Sequence, residues 1–429
     1  MLSAFRNAFK VPDLRNKILF TLLIVAIYRL GAHILLPGVD PAKIQELQRQ
    51  AEQAGGIYQL INLFSGKALT QMAVFALGIM PYITSSIIMQ LLTVVIPRLE
   101  ALQKEGEVGQ KKITQYTRYM TVVLALLQAL GIIVTANNGN LFNGIRDFFG
   151  ANMTVGRTFL IVLTLTAGTA LIMWLGELIT QRGIGNGMSI LIFSSVISSL
   201  PDNSIALWKS AGPGKGSVFL ALGIAIVIGV VIVEQSQRRI PVQYAKRVVG
   251  RKTYGGASTY IPMKVNQAGV IPIIFASSLL YLPVLASTIV QNQWFKSFVD
   301  KHFARGSSVW YVMGYFVLII FFTYFYTAIT FNPTDVADNM KKYGGFIPGI
   351  RPGRPTADYL SHILSRITLP GAIFLGMIAV LPFIAQGVWN IQTFPFAGTA
   401  VLIMVGVGLE TMKQIESQLM MRHYEGFLK

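Results

Sequence analysis

The chain has no cysteine, which excludes disulfide staples, thiolate nucleophiles and thiolate metal centres. Histidine is nearly as scarce: His33, His302, His362 and His423 are scattered, with no pair at the spacing that metal ligation favours. No H-E-x-x-H, G-x-S-x-G or P-loop pattern occurs, so no enzyme site is read here, and any energy source must come from a partner. "GIGNG", Gly183–Gly187, has the glycines of a phosphate loop, but it follows an apolar helical run rather than a strand and reads as a tight turn. Charge is the last scarcity. Asp, Glu, Lys and Arg make up 13% of the 429 residues, where a soluble globule carries about 25%.

What fills the space is apolar: 53% of the residues are hydrophobic, arranged in runs of about twenty. A helix satisfies its own backbone in hydrocarbon, and the short alternating segments of a barrel are missing. The fold class is therefore an all-α polytopic membrane protein. Ten spans are expected, at Lys17–Leu36, Met72–Ile96, Tyr116–Thr135, Thr158–Leu178, Met188–Leu207, Val218–Val233, Ala268–Val290, Val309–Phe331, Leu369–Val388 and Ala397–Met412. The fifth and sixth are separated by Ile205–Ser217, rich in Gly, Ser and Lys. No small-x-small cleavage site follows the first apolar run, which reads as an uncleaved span.

The formal net charge of +18 is unevenly placed. Most Lys and Arg sit at the N-terminus, after the even-numbered spans and at the C-terminus, including Arg98, Lys104, Lys111, Lys112, Arg118, Arg182, Arg238, Arg239, Lys341, Lys342 and Arg366. Positive loops stay cytoplasmic, which places both termini there.

Two stretches echo each other. "GIMPYITSSII" from Gly78 and "GVIPIIFASSLL" from Gly269 share G-x-x-P-x-I, five spans apart, followed by the serine pairs Ser85–Ser86 and Ser277–Ser278. An odd offset means opposite crossing directions, the trace of two inverted five-span halves. Pro81 and Pro272 are expected to bend their helices, and the small and hydroxyl residues to form a movable seam with weak cross-helix hydrogen bonds. The spans hold almost no charge away from their ends; Arg29 and Glu177 stand out. At mid-depth lie Ile79, Ile83, Ile192, Ile274 and Ile403, and an apolar constriction gates without binding an ion. A secondary transporter built from inverted repeats would show a charged or unwound mid-membrane site. A pore-less insertase would keep a hydrophilic groove with a central charge.

Three loops invite partners. Gln237–Lys264 reads as a twisted hairpin around a "YGG" turn, bristling with Arg239, Lys246, Arg247, Arg251 and Lys252. Lys341–Thr356 frames Arg351 between Pro348 and Pro352. Such cations suit phosphates or carboxylates of a docking partner, or anionic lipids. Residues 1–16 read as an amphipathic segment on the membrane surface. Gly55–Gln71 is apolar, Gly-bounded and too short to span, and reads as a re-entrant segment or a surface helix.

"INLFSGKAL", "ALGIMPYITSSIIMQLLTVV", "KEGEVGQKKITQYTRY", "GELITQRGIGNGMSILIF", "RRIPVQYAKR", "VNQAGVIPIIFASS", "FNPTDVADNMKK" and "GGFIPGIRPG" resemble the SecY family of bacterial protein-conducting channels. The resemblance covers nearly the whole chain and implies an hourglass pore between an N-terminal half (17–207) and a C-terminal half (208–412), with loops 234–267 and 332–368 and a tail 413–429. It implies a pore ring of Ile79, Ile83, Met188, Ile192, Ile274 and Ile403, Met188 departing from the usual branched aliphatic. A lateral gate would run along Gly78, Pro81, Ser85, Ser86, Gly269, Pro272, Ser277 and Ser278. The plug would be the segment around 57–68, with Ile57, Leu60, Ile61, Leu63 and Phe64. The implied function is passage of unfolded secretory polypeptides across the bacterial plasma membrane and sideways release of transmembrane helices. The implied partners are SecE, SecG, the SecA motor, the ribosome, signal sequences and nascent chains, with no cofactor.

Overall fold

The computed structural model describes residues 9–39, 65–137, 154–244, 247–249, 252–254, 258–289, 292–299, 302, 308–389 and 398–427. The five plug residues, Lys246, Arg251 and residues 1–8 lie outside them. In chain order the first half runs α1 (Pro12–Gly31), α2 (Met80–Val95), α3 (Pro97–Lys104), α4 (Glu107–Asn137), α5 (Val155–Arg182) and α6 (Gly187–Gln235). Four strands follow: β1 (Gln237–Tyr244), β2 (Arg247–Val249), β3 (Lys252–Tyr254) and β4 (Ser258–Lys264). The second half runs α7 (Ile271–Ile289), α8 (Gln293–Val299), α9 (Val309–Thr330), α10 (Pro333–Lys342), β5 (Gly345–Phe346), α11 (Arg354–Trp389) and α12 (Gly398–Phe427).

Each of the ten expected spans contains helix. By length and mean hydropathy alone, five stretches among the described residues qualify to cross a bilayer: Glu107–Ile133, Val155–Arg182, Gly216–Gln235, Val309–Lys342 and Arg354–Leu381. A sixth is added if α2 and α3, bent by 100°, count as one span. Three boundaries differ from expectation. Span two is helical only from Met80, because Met72 (φ 44°) and Gly78 (φ 56°) hold left-handed backbone that no helix accommodates. Spans five and six form a helical run interrupted in φ/ψ at Gly212 alone (φ 74°, ψ 168°), rather than across Ile205–Ser217. The tenth helix continues to Phe427, through most of the expected tail.

The irregular stretch before α2 is paired and buried. The Leu36 amide donates to the Met72 carbonyl (2.9 Å) and the Val74 amide to the Ile34 carbonyl (2.8 Å), around an isolated bridge between Leu35 and Ala73. Backbone outside a helix is tolerated at membrane depth only when covered by protein in this way. The "GIGNG" stretch is the tight turn expected, joining α5 to α6. The Asn186 side chain accepts from the Met188 amide (3.1 Å), an N-cap, and the Gly187 amide donates to Thr180 Oγ1 (2.9 Å).

Two apolar cores organise the bundle. The first joins Ile24, Tyr28, Phe75, Ile79, Ile172, Leu175, Leu191, Ile192 and Ile403. The second joins Ile87, Val230, Ile273, Phe275, Tyr315, Leu375, Val401 and Val405. The helices α2, α6 and α12 contribute buried residues to both. A smaller contact of Leu14, Ile18, Ile184 and Ile415 ties α1 to the far end of α12.

Gly187 sets the α5–α6 turn most tightly, since a Cβ there would lie 1.8 Å from the Gly176 carbonyl oxygen. Gly187→Ala is expected to lower stability by about 2 kcal/mol or more, read as earlier chemical unfolding in detergent micelles. Wild-type unfolding would show that the turn has room to spare.

Candidate functional site

The two G-x-x-P-x-I stretches take the same local conformation. Gly78 (φ 56°) and Gly269 (φ 62°) both sit in the left-handed region, where glycine carries no steric penalty. In each case the helix begins two residues later, at Met80 and at Ile271, with the proline as its second residue. Pro81 and Pro272 therefore start their helices and do not bend them. A proline in the first turn forfeits only an amide that has no intrahelical partner. The proline interior to α7 is Pro283.

All six residues of the expected ring belong to one apolar cluster or pack against it. Ile79, Met188, Ile192 and Ile403 are buried members of one apolar cluster, and Ile83 and Ile274 pack against it, half-buried. Four elements converge there: the entry to α2, the start of α6, the start of α7 and the first turns of α12. Met188 turns its thioether onto α5, where a Cβ at Gly176 would meet Met188 Sδ at 2.5 Å. Ile83 and Ile274 also pack against the second core, so these two bridge the cores.

The serines of the expected seam look inward. Ser85 Oγ donates to the Pro81 carbonyl (2.8 Å) and Ser277 Oγ to the Ile274 carbonyl (2.9 Å), each within its own helix. Ser278 Oγ is buried without a partner, and Ser86 is half-buried. The cross-helix hydrogen bonds expected from the sequence are not formed by these serines. A hydroxyl on a helix finds its own preceding carbonyl first. Apolar side chains around Ile83, Ile87, Leu91 and Ile273 fill the seam.

Both notable intramembrane charges are engaged. Arg118 grips Glu177 bidentately, Nε to Oε1 at 2.7 Å and Nη2 to Oε2 at 2.6 Å, joining α4 to α5. Arg29 donates to the carbonyls of Ser194 (2.6 Å), Gly66 (3.3 Å) and Ser195 (3.4 Å). Beside it the hydroxyls of Tyr28 and Ser195 share a hydrogen bond of 2.8 Å. Sequence reasoning singled out Arg29 and Glu177 but not their partners. Lone charges of opposite sign on successive spans, Arg118 and Glu177, were the available signal.

The basic loops merge into one surface. β1 pairs antiparallel with β4, Arg239 opposite Pro262 and Val242 opposite Thr259. β5, from the loop that carries Arg351, adds to the other edge of β1, Tyr244 opposite Gly345, giving the order β4-β1-β5. Ile240, Val242, Met263, Met340, Ile347, Leu360 and Ile363 form its own small core. β2 pairs antiparallel with β3, Arg247 opposite Tyr254 and Val249 opposite Lys252, while the glycines of the expected "YGG" turn lie outside the described residues. Arg247 and Lys252 lie on these strands. Arg239 is exposed and lies over the Tyr260 ring at 4.8 Å, a cation–π pair. Arg351 is exposed, between left-handed Gly349 (φ 85°) and Gly353 (φ 102°), and its carbonyl accepts from Thr356 Oγ1 at 2.8 Å. Across the way, Lys104 is held above the usual lysine range first by its hydrogen bond to Glu100, with a smaller contribution from the charge of Asp335 on α10.

The fold and the site define a multi-pass helical membrane protein with an apolar cluster drawn from both halves of the chain and a separate basic sheet. The family model described as SecY matches residues 73–412. A protein translocase subunit SecY of Streptomyces galbus is 57% identical, and one of Mycobacterium bovis 58% identical, each alignment covering 100% of both chains. A solved structure described as that of a protein conducting channel superposes with a TM-score of 0.62 at 17% identity, covering 94% of this chain and 91% of that one. Sec61 in a canine ribosome-channel complex gives 0.58 at 15% identity, covering 94% and 91%. The chain belongs to the SecY family.

The Arg118–Glu177 pair is partly exposed, its side chains retaining 36% and 18% of their accessible surface. A double-mutant cycle with Arg118→Gln and Glu177→Gln is expected to give a coupling energy of about 1–2 kcal/mol, measured by chemical unfolding in detergent. Additive single effects would mean that the pair contributes nothing beyond its separate side chains.

Proposed function

We propose that this chain is the channel subunit through which unfolded polypeptides cross the bacterial plasma membrane, with Ile79, Ile83, Met188, Ile192, Ile274 and Ile403 as its constriction. The observation that carries this reading is the convergence of these six side chains, from four separate elements, on one apolar cluster. Arg29 and Glu177, the charges that would mark a transporter or insertase site, are already engaged by carbonyls and by Arg118. A translocating chain presents every kind of side chain, so a chemically selective site would hold some cargo too long. An apolar ring excludes water at rest and fits loosely around varied cargo.

The seam between α2 and α7 serves as the lateral exit to lipid, from Gly78, Pro81, Ser85 and Ser86 to Gly269, Pro272, Ser277 and Ser278. Its filling is apolar, so signal sequences and membrane helices exchange like contacts for like when they pass. The segment 57–68 acts as the plug. SecE clamps the halves and SecG lies at the periphery. The basic sheet, with Arg239, Lys246, Arg247, Arg251 and Lys252, and the neighbouring Arg351 dock the ribosome through its phosphates or the SecA motor, with anionic lipid nearby. Both termini face the cytoplasm.

Ile83→Ser and Ile274→Ser are each expected to raise the resting ion conductance of the reconstituted complex in planar bilayers several-fold, because a hydroxyl lowers the cost of wetting an apolar constriction. Unchanged conductance in both would refute the constriction. Arg351→Glu is expected to cut motor- or ribosome-driven translocation about tenfold or more, by reversing a charge at a docking contact, while leaving the amount of assembled complex unchanged. Normal transport in that variant would remove Arg351 from the docking surface.

A further inference from the structure

We infer that Arg29 is a positioning residue for the constriction: it clamps together the two arms that deliver Ile79 and Ile192, and so holds the resting channel shut. The inference rests on the constriction reading above.

Arg29 lies in the last turn of α1, half-buried. It makes no ion pair among the described residues; its guanidinium is directed at neutral carbonyls. Nη2 donates to Ser194 and Ser195 on α6, less than one turn beyond Ile192, and Nη1 donates to Gly66. The guanidinium is a rigid planar fork, so bonds to two segments fix their separation where a flexible ammonium would not.

The Gly66 end of the clamp admits no side chain. Gly66 is left-handed (φ 60°), and a Cβ there would lie 2.8 Å from Arg29 Nη1 and 3.1 Å from Ser195 Oγ. Lys67 is also left-handed (φ 70°), unusual for a residue with a side chain, and its Nζ pairs with Asp202 on α6 at 2.7 Å. The same turn of α1 holds the stretch again further along. Tyr28 stacks on Phe75 with ring centroids 5.8 Å apart, and the Phe75 ring occupies the space that a Cβ on Gly31 would need. Residues 66 to 75 are thus gripped at both ends by Tyr28, Arg29 and Gly31, and Ile79 follows one short step later. Nothing about polypeptide passage requires a cation at Arg29; the geometry assigns it to holding these two arms.

The test is resting conductance of the reconstituted complex in planar bilayers, together with export of a precursor that lacks its signal sequence. Arg29→Gln is expected to raise resting conductance about tenfold, the shift that loss of one charge-assisted hydrogen bond produces, and to admit the signal-less precursor. Arg29→Lys, which keeps the charge and loses the fork, falls between. Gly66→Ala crowds the clamp without touching the charge and moves both readouts the same way. An assembled Arg29→Gln complex with wild-type conductance overturns the inference. If that variant does not assemble, wild-type conductance in Gly66→Ala overturns it. Ile83→Ser is the reference: a leak there with none in the clamp variants sinks this inference alone, and no leak in any of them sinks the constriction with it.

Discussion

Polar groups that leave a helix inside a bilayer must find partners within the protein, because hydrocarbon offers none. The stretch from Ser65 to Ile79 is a run of turns rather than helix, and much of its surroundings is arranged around that departure. Ile34 and Leu36 exchange backbone bonds with it, Arg29 caps a carbonyl, and Gly168 on α5 lets the Val74 carbonyl approach to where a Cβ would lie 2.2 Å away. The departure has a consequence for the site. A continuous helix from Met72 would bring Ile79 in on a straight rod, whereas a covered, turned segment brings it in from the side and leaves α2 to begin at the apolar cluster.

Three helices contribute buried residues to both cores. Met80 on α2, with Ile79 just before it, joins the first core and Ile87 the second; on α6, Leu191 and Ile192 join the first and Val230 the second; on α12, Ile403 joins the first and Val401, Leu402 and Val405 the second. The α2 seam differs from an ordinary packed interface in what does not cross it: the hydroxyls of Ser85 and Ser277 are bonded within their own helices. Parting such a seam breaks none of those hydrogen bonds and exposes apolar surface to lipid or to an apolar guest. In a bilayer that exposure carries little of the free-energy cost it would have in water, since lipid tails are as apolar as the side chains. An interface that must open repeatedly without a bound nucleotide gains from that economy.

Much of this was legible in the sequence. Runs of about twenty apolar residues located the helices, and the repeated Gly and Pro located two equivalent helix starts. What the pattern did not reveal was the role of the proline. A proline reads as a break in a long apolar run, yet Gly78 and Gly269 had already ended the preceding structure, which makes Pro81 and Pro272 second residues of new helices. The six expected ring residues were legible as five isoleucines and a methionine far apart in the chain; that they share one apolar cluster depends on tertiary packing of four distant segments. The pairing of β5 with β1 was not legible at all. Gly345 and Phe346 carry no strand signal, and their register is set by tertiary packing of Ile347 and Met340 with Val242 and Leu360.

That added strand changes how the basic surface relates to the membrane part. Without it, the hairpin and the Arg351 loop would be two independent flaps. With it, they share one sheet and one small core, so a load on either is borne by both. The sheet is joined to the bundle by short links: β1 follows α6 after Ser236 alone, and β4 leads into α7 through residues 265–270. At that second joint the Val265 amide donates to the Ser236 carbonyl (3.0 Å), and Asn266 Nδ2 donates to Glu234 Oε2 (2.9 Å) and to the Gly269 carbonyl (3.2 Å). Asn266 is 3% exposed and its Oδ1 has no partner. A short, hydrogen-bonded joint transmits displacement, where a long flexible one would absorb it. The helix on the receiving side is α7, which bears Ile274, packed against the first core, and Ile273, buried in the second. The basic sheet and α7 are thus joined by only six residues, and the charges of the sheet lie apart from the apolar cluster around Ile274.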